Sequence, residues 1–161
     1  MIIKSIDLQN FRNYELQKID FDSGTNILYG DNAQGKTNIL EAVYLSGTTK
    51  SHRGSKDQEM IAFNHNESHI KMIMSRKGID YRIDMHIKRN RSKGIAINGV
   101  PIRKSMDLYG IINLVIFSPE DLRIIENGPS ERRKFIDMEL CQLDKIYASN
   151  LINYRRTLEQ R

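Results

Sequence analysis

The sequence has little cysteine or proline and no tryptophan. Among 161 residues there are one cysteine, Cys141, and three prolines. A single cysteine cannot form an internal disulfide, which is typical of a reducing cytoplasm. No apolar run approaches the roughly 18 residues that a membrane-spanning helix needs, and the N-terminus lacks the long apolar centre of a signal peptide. The composition therefore predicts a cytoplasmic protein with no membrane partner.

Positive charge exceeds negative charge. The chain carries 25 Lys and Arg residues against 20 Asp and Glu residues, a net charge of +5. Its 39% of apolar residues is ordinary for a globular domain with its own core. The excess charge is compatible with a polyanionic partner, but a basic surface indicates nucleic acid only where the charges cluster.

Alternating apolar and polar residues predict antiparallel strands in two parts of the chain. Ile2–Phe11 and Glu15–Phe21 each have a period of two, and so do three stretches between residues 69 and 102. Lys77-Gly78 and Asn98-Gly99 are typical of tight hairpin turns. The later part is therefore expected to be an antiparallel meander.

Two apolar segments predict buried strands of another kind. Asn26–Tyr29 is short and apolar, and Ile111–Phe117 is a continuous apolar run, typical of a strand covered on both faces. Between them, Gly35–Leu45 has helical spacing, and Gly47 is expected to end that helix.

The last third of the chain predicts helices. Ser118-Pro119 is typical of a helix start. From Ile136 to Leu158, apolar residues recur every three or four positions, which predicts one long helix with a single apolar seam, capped by Ser130. No helix-ending residue follows before Arg161, so we expect the helix to continue in a longer protein.

The most informative motif is GDNAQGKT, residues 30–37, which fits the phosphate-loop pattern G-x-x-x-x-G-K-[ST]. Its glycines permit the tight backbone turns that point N–H groups at phosphate oxygens, and a helix start adds its positive end. Lys36 is expected to reach the β- and γ-phosphates, and the Thr37 hydroxyl to bind Mg²⁺. The predicted nucleotide-binding residues are Gly30, Asp31, Asn32, Ala33, Gln34, Gly35, Lys36 and Thr37.

Two other classes of protein remain open. A different P-loop enzyme, such as a kinase, would normally continue with parallel strand–helix units, and it would need a substrate site and an acidic metal anchor. We identify neither in this sequence. A protein-interaction module with a vestigial loop is the second class, and the intact Gly35, Lys36 and Thr37 argue against it.

Several further motifs resemble one family. Residues 30–42 (GDNAQGKTNILEA), 50–53 (KSHR), 117–122 (FSPEDL) and 128–137 (GPSERRKFID) are similar to stretches of bacterial RecF proteins and occur in the same order. Residues 10–14 (NFRNY) are shared more widely, among the ABC-type heads of SMC proteins and RecN. By this resemblance the chain is identified as a member of the RecF family of DNA-repair ATPases.

The resemblance implies a fold and a function. The fold would be an α/β P-loop NTPase, the N-terminal half of an ABC-type ATPase head, with an antiparallel β lobe and the start of a helical lobe. Residues 1–118 would belong to the head and residues 119–161 to the helical lobe. ATP and Mg²⁺ would be the ligands, with Arg12 and Asn13 near the nucleotide. Double-stranded DNA and single-strand gap junctions, RecO and RecR would be the partners of a protein that forms a homodimer with ATP.

Motifs that complete such an ATPase are not found in this sequence. The family's signature motif, Walker B acidic pair and switch histidine are missing, and Glu120 stands where related heads carry a metal-binding glutamine. We therefore expect a truncated fragment that contains no catalytic residue and hydrolyses ATP negligibly. The strand Ile27–Tyr29 would lack its neighbour in the sheet, which predicts self-association at that edge.

Basic residues crowd two places outside the phosphate loop. Lys88, Arg89 and Arg91 lie in the later meander, and Lys50 and Arg53 follow the loop helix. Both groups are candidates for contacts with DNA phosphates. Two structural roles stay open: the meander residues could form a solvated hairpin face, and the other pair could belong to a polar loop that closes the helix.

Overall fold

The centre of the fold is one antiparallel sheet. A computed structural model describes residues 1–122 and 128–160, with the backbone alone for Ser105 and Glu120. The strands are β1 (Ile2–Phe11), β2 (Tyr14–Asp20), β3 (Glu67–Arg76), β4 (Ile79–Lys88), β5 (Arg91–Ile97) and β6 (Val100–Ile102). Their order in the sheet is β2-β1-β3-β4-β5-β6. Both predicted groups of strands are thus confirmed, and they share one sheet through the β1–β3 pairing.

Turn chemistry determines how the strands connect. The two residues of the β3–β4 turn, Lys77 and Gly78, have φ of 51° and 78°, and those of the β5–β6 turn, Asn98 and Gly99, have 51° and 81°. Two successive positive φ angles define the turn whose twist matches paired strands, and Asn and Gly tolerate that conformation. Both predicted hairpin turns are confirmed.

The two faces of the sheet differ in polarity. The inner face and the helix α1 (Lys36–Thr48) form the main core, with fully buried Leu8, Ile70 and Ile83 from the sheet and Leu45 from the helix. The outer face carries charged residues paired across neighbouring strands, such as Asp7 with Lys71. Period-two alternation therefore sends every second side chain into the core.

Helix α1 extends beyond the residue predicted to end it. It closes at Thr49, whose backbone has φ of 63° and donates its N–H to the carbonyl of Leu45 at 2.8 Å. Gly47 lies inside the last turn, and a Cβ there would be 2.4 Å from Leu114 Cδ1 and 3.0 Å from Ile112 Cγ2. Gly47 is therefore required by the close approach of a neighbouring segment, and the predicted stop is wrong.

The two predicted buried strands are wrong. Residues 26–29 and 111–117 are irregular, and one isolated bridge between Tyr109 and Ile112 is the only pairing of either segment with described residues. Tyr29 is 90% exposed and Val115 80% exposed. A strand needs hydrogen-bonding neighbours on its edges, and the described sheet offers none to these segments.

The predicted long helix is two helices. Helix α2 spans Pro129–Leu143 and helix α3 spans Lys145–Glu159, separated by Asp144 in an extended conformation. The Asp144 carboxylate accepts the backbone N–H of Ile146 at 2.7 Å, so this residue caps α3. Tyr147 and Arg155 of α3 both donate to Asp137 of α2, at 2.6 and 2.8 Å, which holds the helices together as a hairpin.

Two smaller predictions concern helix starts. Ser130 lies inside α2, which begins after Gly128 with Pro129 at its first position, so the predicted cap is wrong. Ser118 precedes a single 3₁₀ turn at Pro119–Leu122 and donates its N–H and hydroxyl to Asp121, at 2.6 and 3.0 Å. In the described ranges no helix is both long and apolar enough to cross a bilayer.

Gly47→Ala is expected to lower the free energy of unfolding by about 1–2 kcal/mol, because overpacking at Leu114 and Ile112 outweighs the gain in helix propensity. Urea denaturation measures the change. In a Leu114→Ala background the same substitution should cost clearly less. Gly94→Ala is the control, since a Cβ there meets nothing within 4 Å. Equal effects of Gly47→Ala in both backgrounds would contradict the packing explanation.

Candidate nucleotide site

The phosphate loop lies directly before α1 and beside the β1–β2 turn. Gly30, Ala33 and Gly35 have φ of 142°, 65° and 97°, so the loop turns repeatedly through conformations that favour glycine. No side chain of the described residues caps the helix at Gly35. The first backbone N–H groups of α1 therefore face the loop without a protein side-chain acceptor, which is how helix starts bind anions.

Glycine is required at Gly35 because two side chains of the β1–β2 turn cover it. A Cβ at this position would lie 2.6 Å from Asn13 Nδ2 and 2.8 Å from the Tyr14 hydroxyl oxygen. Both side chains also donate to the carbonyl of Gln34, Asn13 at 3.3 Å and Tyr14 at 3.4 Å. The path of the loop is thus held from one side by the preceding hairpin.

Lys36 lies over the loop that precedes it. Its ammonium group donates to the carbonyl oxygens of Gly30 at 2.8 Å and Asp31 at 2.6 Å. The backbone N–H of Asp31 in turn donates to Gln34 Oε1 at 3.1 Å. One cation is therefore held against the backbone of a loop whose own side chains are largely exposed, which favours an anionic ligand.

The predicted metal residue, Thr37, lies at the start of α1. Thr37 is the second residue of α1 and is exposed. Within residues 1–122 and 128–160, no group of three or more His, Cys, Asp or Glu residues could hold a metal ion. The side chain of Glu120, predicted in place of a glutamine, lies outside the described atoms.

Two asparagines and an arginine form the wall next to the loop. Asn38 donates to Asn13 Oδ1 at 2.8 Å and accepts from Arg53 at 3.1 Å. Asn13, predicted to lie near the nucleotide, therefore contacts the phosphate loop and the first turn of α1 together. Sequence reasoning missed Asn38, a polar residue directly before the apolar Ile39 and Leu40 of the helix.

Arg12 binds a buried carboxylate. Its Nε and a terminal nitrogen donate to the two oxygens of Glu41 at 2.9 and 2.7 Å, and its remaining contacts are with Ser55 Oγ and the carbonyl of Glu59. Glu41 is 0% exposed. The predicted role of Arg12 at the nucleotide stays a prediction. The structure gives it another partner, which was missed although a charged residue in a mainly apolar helix is a detectable signal.

The environment of Glu41 keeps it ionised. Burial raises the pKa of this carboxyl group, but hydrogen bonds from Arg12 and Ser51 and the charges of Arg12 and Arg53 outweigh it and lower the pKa. Ser51 donates at 2.5 Å, and an Arg53 nitrogen lies 3.8 Å away. A buried carboxylate with this many donors stays charged and ordered.

The two groups of basic residues lie at the same end of the sheet. Lys93, two residues after Arg91, donates to the carbonyl of Thr49 at 2.6 Å, so the side chain of one β5 residue reaches the residue before Lys50. The side chains of Lys50 and Arg91 are exposed. Lys88 lies 3.5 Å from the carboxylate of Glu67. Arg89 donates to the carbonyl of His65 at 3.3 Å.

A family model described as an AAA domain matches residues 5–160. The chain belongs to the AAA domain family. Over all 161 residues it is 67% identical to the DNA replication and repair protein RecF of Agathobacter rectalis, of which it covers 44%. The chain thus spans less than half the length of this curated relative.

Solved structures agree with this family. A structure of the recombination mediator protein RecF with ATP is 39% identical in sequence and superimposes with a TM-score of 0.94. The match covers 99% of this chain and 43% of the RecF chain in that structure. The SMC head domain of Thermotoga maritima shares the fold, with a TM-score of 0.60 at 18% sequence identity. That match covers 80% of this chain and 52% of the SMC chain. The predicted resemblance to RecF and the predicted ATPase-head fold are confirmed.

Glu41→Gln is expected to lower the free energy of unfolding near neutral pH by about 3 kcal/mol, because it leaves the part-buried Arg12 without its counter-ion. The lowered pKa of Glu41 means that its stabilisation is complete above its ordinary pKa of about 4.3 and is lost as pH falls through the folded-state value. The difference between the two proteins should therefore shrink in acid. Urea denaturation at pH 7 and below pH 4 measures it.

Glu67→Gln is the matched control. Glu67 also has a lowered pKa, through a hydrogen bond from His86 and nearby charges, but its side chain is 55% exposed. An exposed ion pair contributes little to stability, so this variant should unfold nearly as the wild type does. Similar losses of unfolding free energy in Glu41→Gln and Glu67→Gln would contradict the role of burial.

Proposed function

We propose that the chain is the ATP-binding part of a RecF-type protein that acts on DNA in recombinational repair and replication restart. One observation carries this proposal: a loop at a helix start, formed by residues 30–37, holds the Lys36 ammonium group against its backbone, and no side chain of the described residues caps the start of α1. Such a site fits the phosphates of a nucleotide.

The residues present fit ATP better than a vestigial loop. Any side chain at Gly35 would clash with Asn13 and Tyr14, and one at Gly30 would approach Gln34 Oε1 to 2.4 Å. Packing accounts for the two glycines, and Lys36 beside them supplies the cation that a phosphate ligand would need. The solved relative named as RecF with ATP supports the same ligand. Mg²⁺ is expected at the Thr37 hydroxyl when the triphosphate is bound.

The remaining parts of the proposal concern the longer protein. Residues 1–118 would belong to the ATPase head and residues 119–161 to the helical lobe, in a cytoplasmic protein that forms a homodimer with ATP. RecO and RecR would be its protein partners, as the RecFOR pathway named with the solved relatives suggests. This chain alone would bind ATP without turning it over. Exposed Ile27, Tyr29, Val115 and Phe117 support its self-association.

Double-stranded DNA and single-strand gap junctions are the proposed nucleic-acid ligands. The argument is that five basic residues lie at one end of the sheet and outnumber the two carboxylates that pair with them, Glu67 with Lys88 and Glu41 with Arg53; the five are Lys50, Arg53, Lys88, Arg89 and Arg91. By contrast, much of the outer sheet face is neutralised by ion pairs, including Lys71 with Asp7 at 2.8 Å. A cluster of exposed cations fits a phosphate backbone better than a mixed face does.

Lys36→Ala is expected to weaken ATP binding at least tenfold, which corresponds to about 1.4 kcal/mol, because a charge-assisted contact with phosphate is lost. Titration of a fluorescent ATP analogue with Mg²⁺ measures the affinity. Lys77→Ala is the control, since Lys77 lies in the β3–β4 turn at the far end of β1 from the loop. Equal binding by wild type and Lys36→Ala would favour the vestigial interaction module.

Neutralising Lys88, Arg89 and Arg91 by glutamine in a full-length protein that contains this chain is expected to flatten the salt dependence of DNA binding. Each lost phosphate contact lowers the slope of log K against log salt by about 0.9. Fluorescence anisotropy with a duplex over a salt series measures that slope. The control replaces Lys4, Lys18 and Lys77 by glutamine. An unchanged slope in the first variant would favour a solvated hairpin face.

A further inference from the structure

We infer that Glu41 and Asn38 are positioning residues for the phosphate loop, which they reach through Arg53 and Asn13. The inference rests on the proposed nucleotide binding and adds to it the means by which the loop is held in shape. A buried carboxylate, a guanidinium group and two amides form a continuous chain of contacts that ends on the loop backbone.

The chain of contacts has four links. An Arg53 nitrogen lies 3.8 Å from Glu41 Oε2 and donates to Asn38 Oδ1 at 3.1 Å. Asn38 Nδ2 donates to Asn13 Oδ1 at 2.8 Å. Asn13 Nδ2 then donates to the backbone carbonyl of Gln34 at 3.3 Å. The contacts thus run from inside the protein to the residue before Gly35.

The direction of these hydrogen bonds is determined by the arginine. A guanidinium group has only donors, so Asn38 must turn its oxygen toward Arg53 and its NH₂ group toward Asn13. Asn13 must then accept with its oxygen, which leaves its own NH₂ group for the carbonyl of Gln34. One positive charge therefore fixes the orientation of both amides.

Glu41 is the fixed end of the chain. It is fully buried and receives two hydrogen bonds from Arg12 and one from Ser51, so its position is determined independently of Arg53. Arg53 has a side chain that is 41% exposed. Without the negative charge of Glu41, the bond to Asn38 would be the one contact among the described residues left to keep this guanidinium from turning into solvent.

Asn13 is the end that acts on the loop. Its amide occupies the space over Gly35, within 2.6–2.7 Å of where a Cβ would be. It also holds the carbonyl of Gln34, so its placement determines the backbone path into α1. A displaced Asn13 amide would leave the loop less ordered before the nucleotide arrives, and ordering it would then cost affinity.

A double-mutant cycle tests the inference. The affinity for a fluorescent ATP analogue with Mg²⁺ is measured in a full-length protein containing this chain, for wild type, Glu41→Gln, Asn13→Ala and the double variant. Glu41→Gln is expected to weaken binding about tenfold, and in the Asn13→Ala background its additional effect should be less than about twofold. Effects that multiply, or unchanged affinity in Glu41→Gln, would overturn the inference. Because Glu41 also binds Arg12, the neighbour of Asn13 in the chain, the Arg53 variants test the route through Arg53 separately.

Arg53 provides a second cycle if Glu41→Gln fails to fold. Arg53→Leu removes the donor to Asn38, whereas Arg53→Lys keeps one donor and the charge. In an otherwise wild-type protein, Arg53→Lys is expected to bind the ATP analogue more tightly than Arg53→Leu, and this difference in affinity should disappear with Asn13→Ala. A difference that persists would reflect plain attraction between the lysine and phosphate, and it would overturn the inference. Lys36→Ala is measured in parallel. If it binds ATP as the wild type does, the proposed function itself fails.

Discussion

The ion pair between Glu41 and Arg12 is the interaction on which the arrangement of the site depends. It joins three segments that are distant in sequence: the β1–β2 turn, helix α1 and the loop that follows the helix, which adds Ser51 and Ser55. Burying a single carboxylate would be costly, but several donors and an arginine offset that cost. Because the turn carries Asn13 and Tyr14 and the helix begins at Gly35, the same pair determines how closely the hairpin approaches the phosphate loop.

The distribution of charge separates the two faces of the molecule. Much of the outer face of the sheet is neutralised by ion pairs, including Lys4 with Asp80, Lys71 with Asp7, and Arg82 with Asp84. Arg12 is likewise neutralised by Glu41. The excess positive charge of the chain therefore belongs to other residues, among them Lys36 at the loop and Lys50 and Arg91 at the basic end of the sheet. The two proposed phosphate ligands, nucleotide and nucleic acid, would both be attracted to such residues.

The sequence predicted the sheet well because its strands are determined by local signals. Period-two alternation and turns such as Asn98-Gly99 act within a few residues. The phosphate loop was predictable for the same reason, since glycine requirements and the lysine follow one another directly. Glu41 and Asn38 were missed because their partners, Arg12, Asn13 and Arg53, lie 10 or more residues away, and a single sequence does not indicate which polar residues meet.

The wrong predictions of two strands and of one long helix share a physical cause, which is that apolar patterning indicates burial without indicating what covers the residue. The segments around Tyr29 and Val115 have the composition of central strands, yet both residues are exposed because no strand of the described sheet lies beside them. The seam in α2 and α3 is likewise apolar over its length, yet Asp144 breaks it by capping a new helix. In each case the local pattern is correct about polarity and wrong about geometry, because strands and long helices are defined by partners that local sequence does not specify.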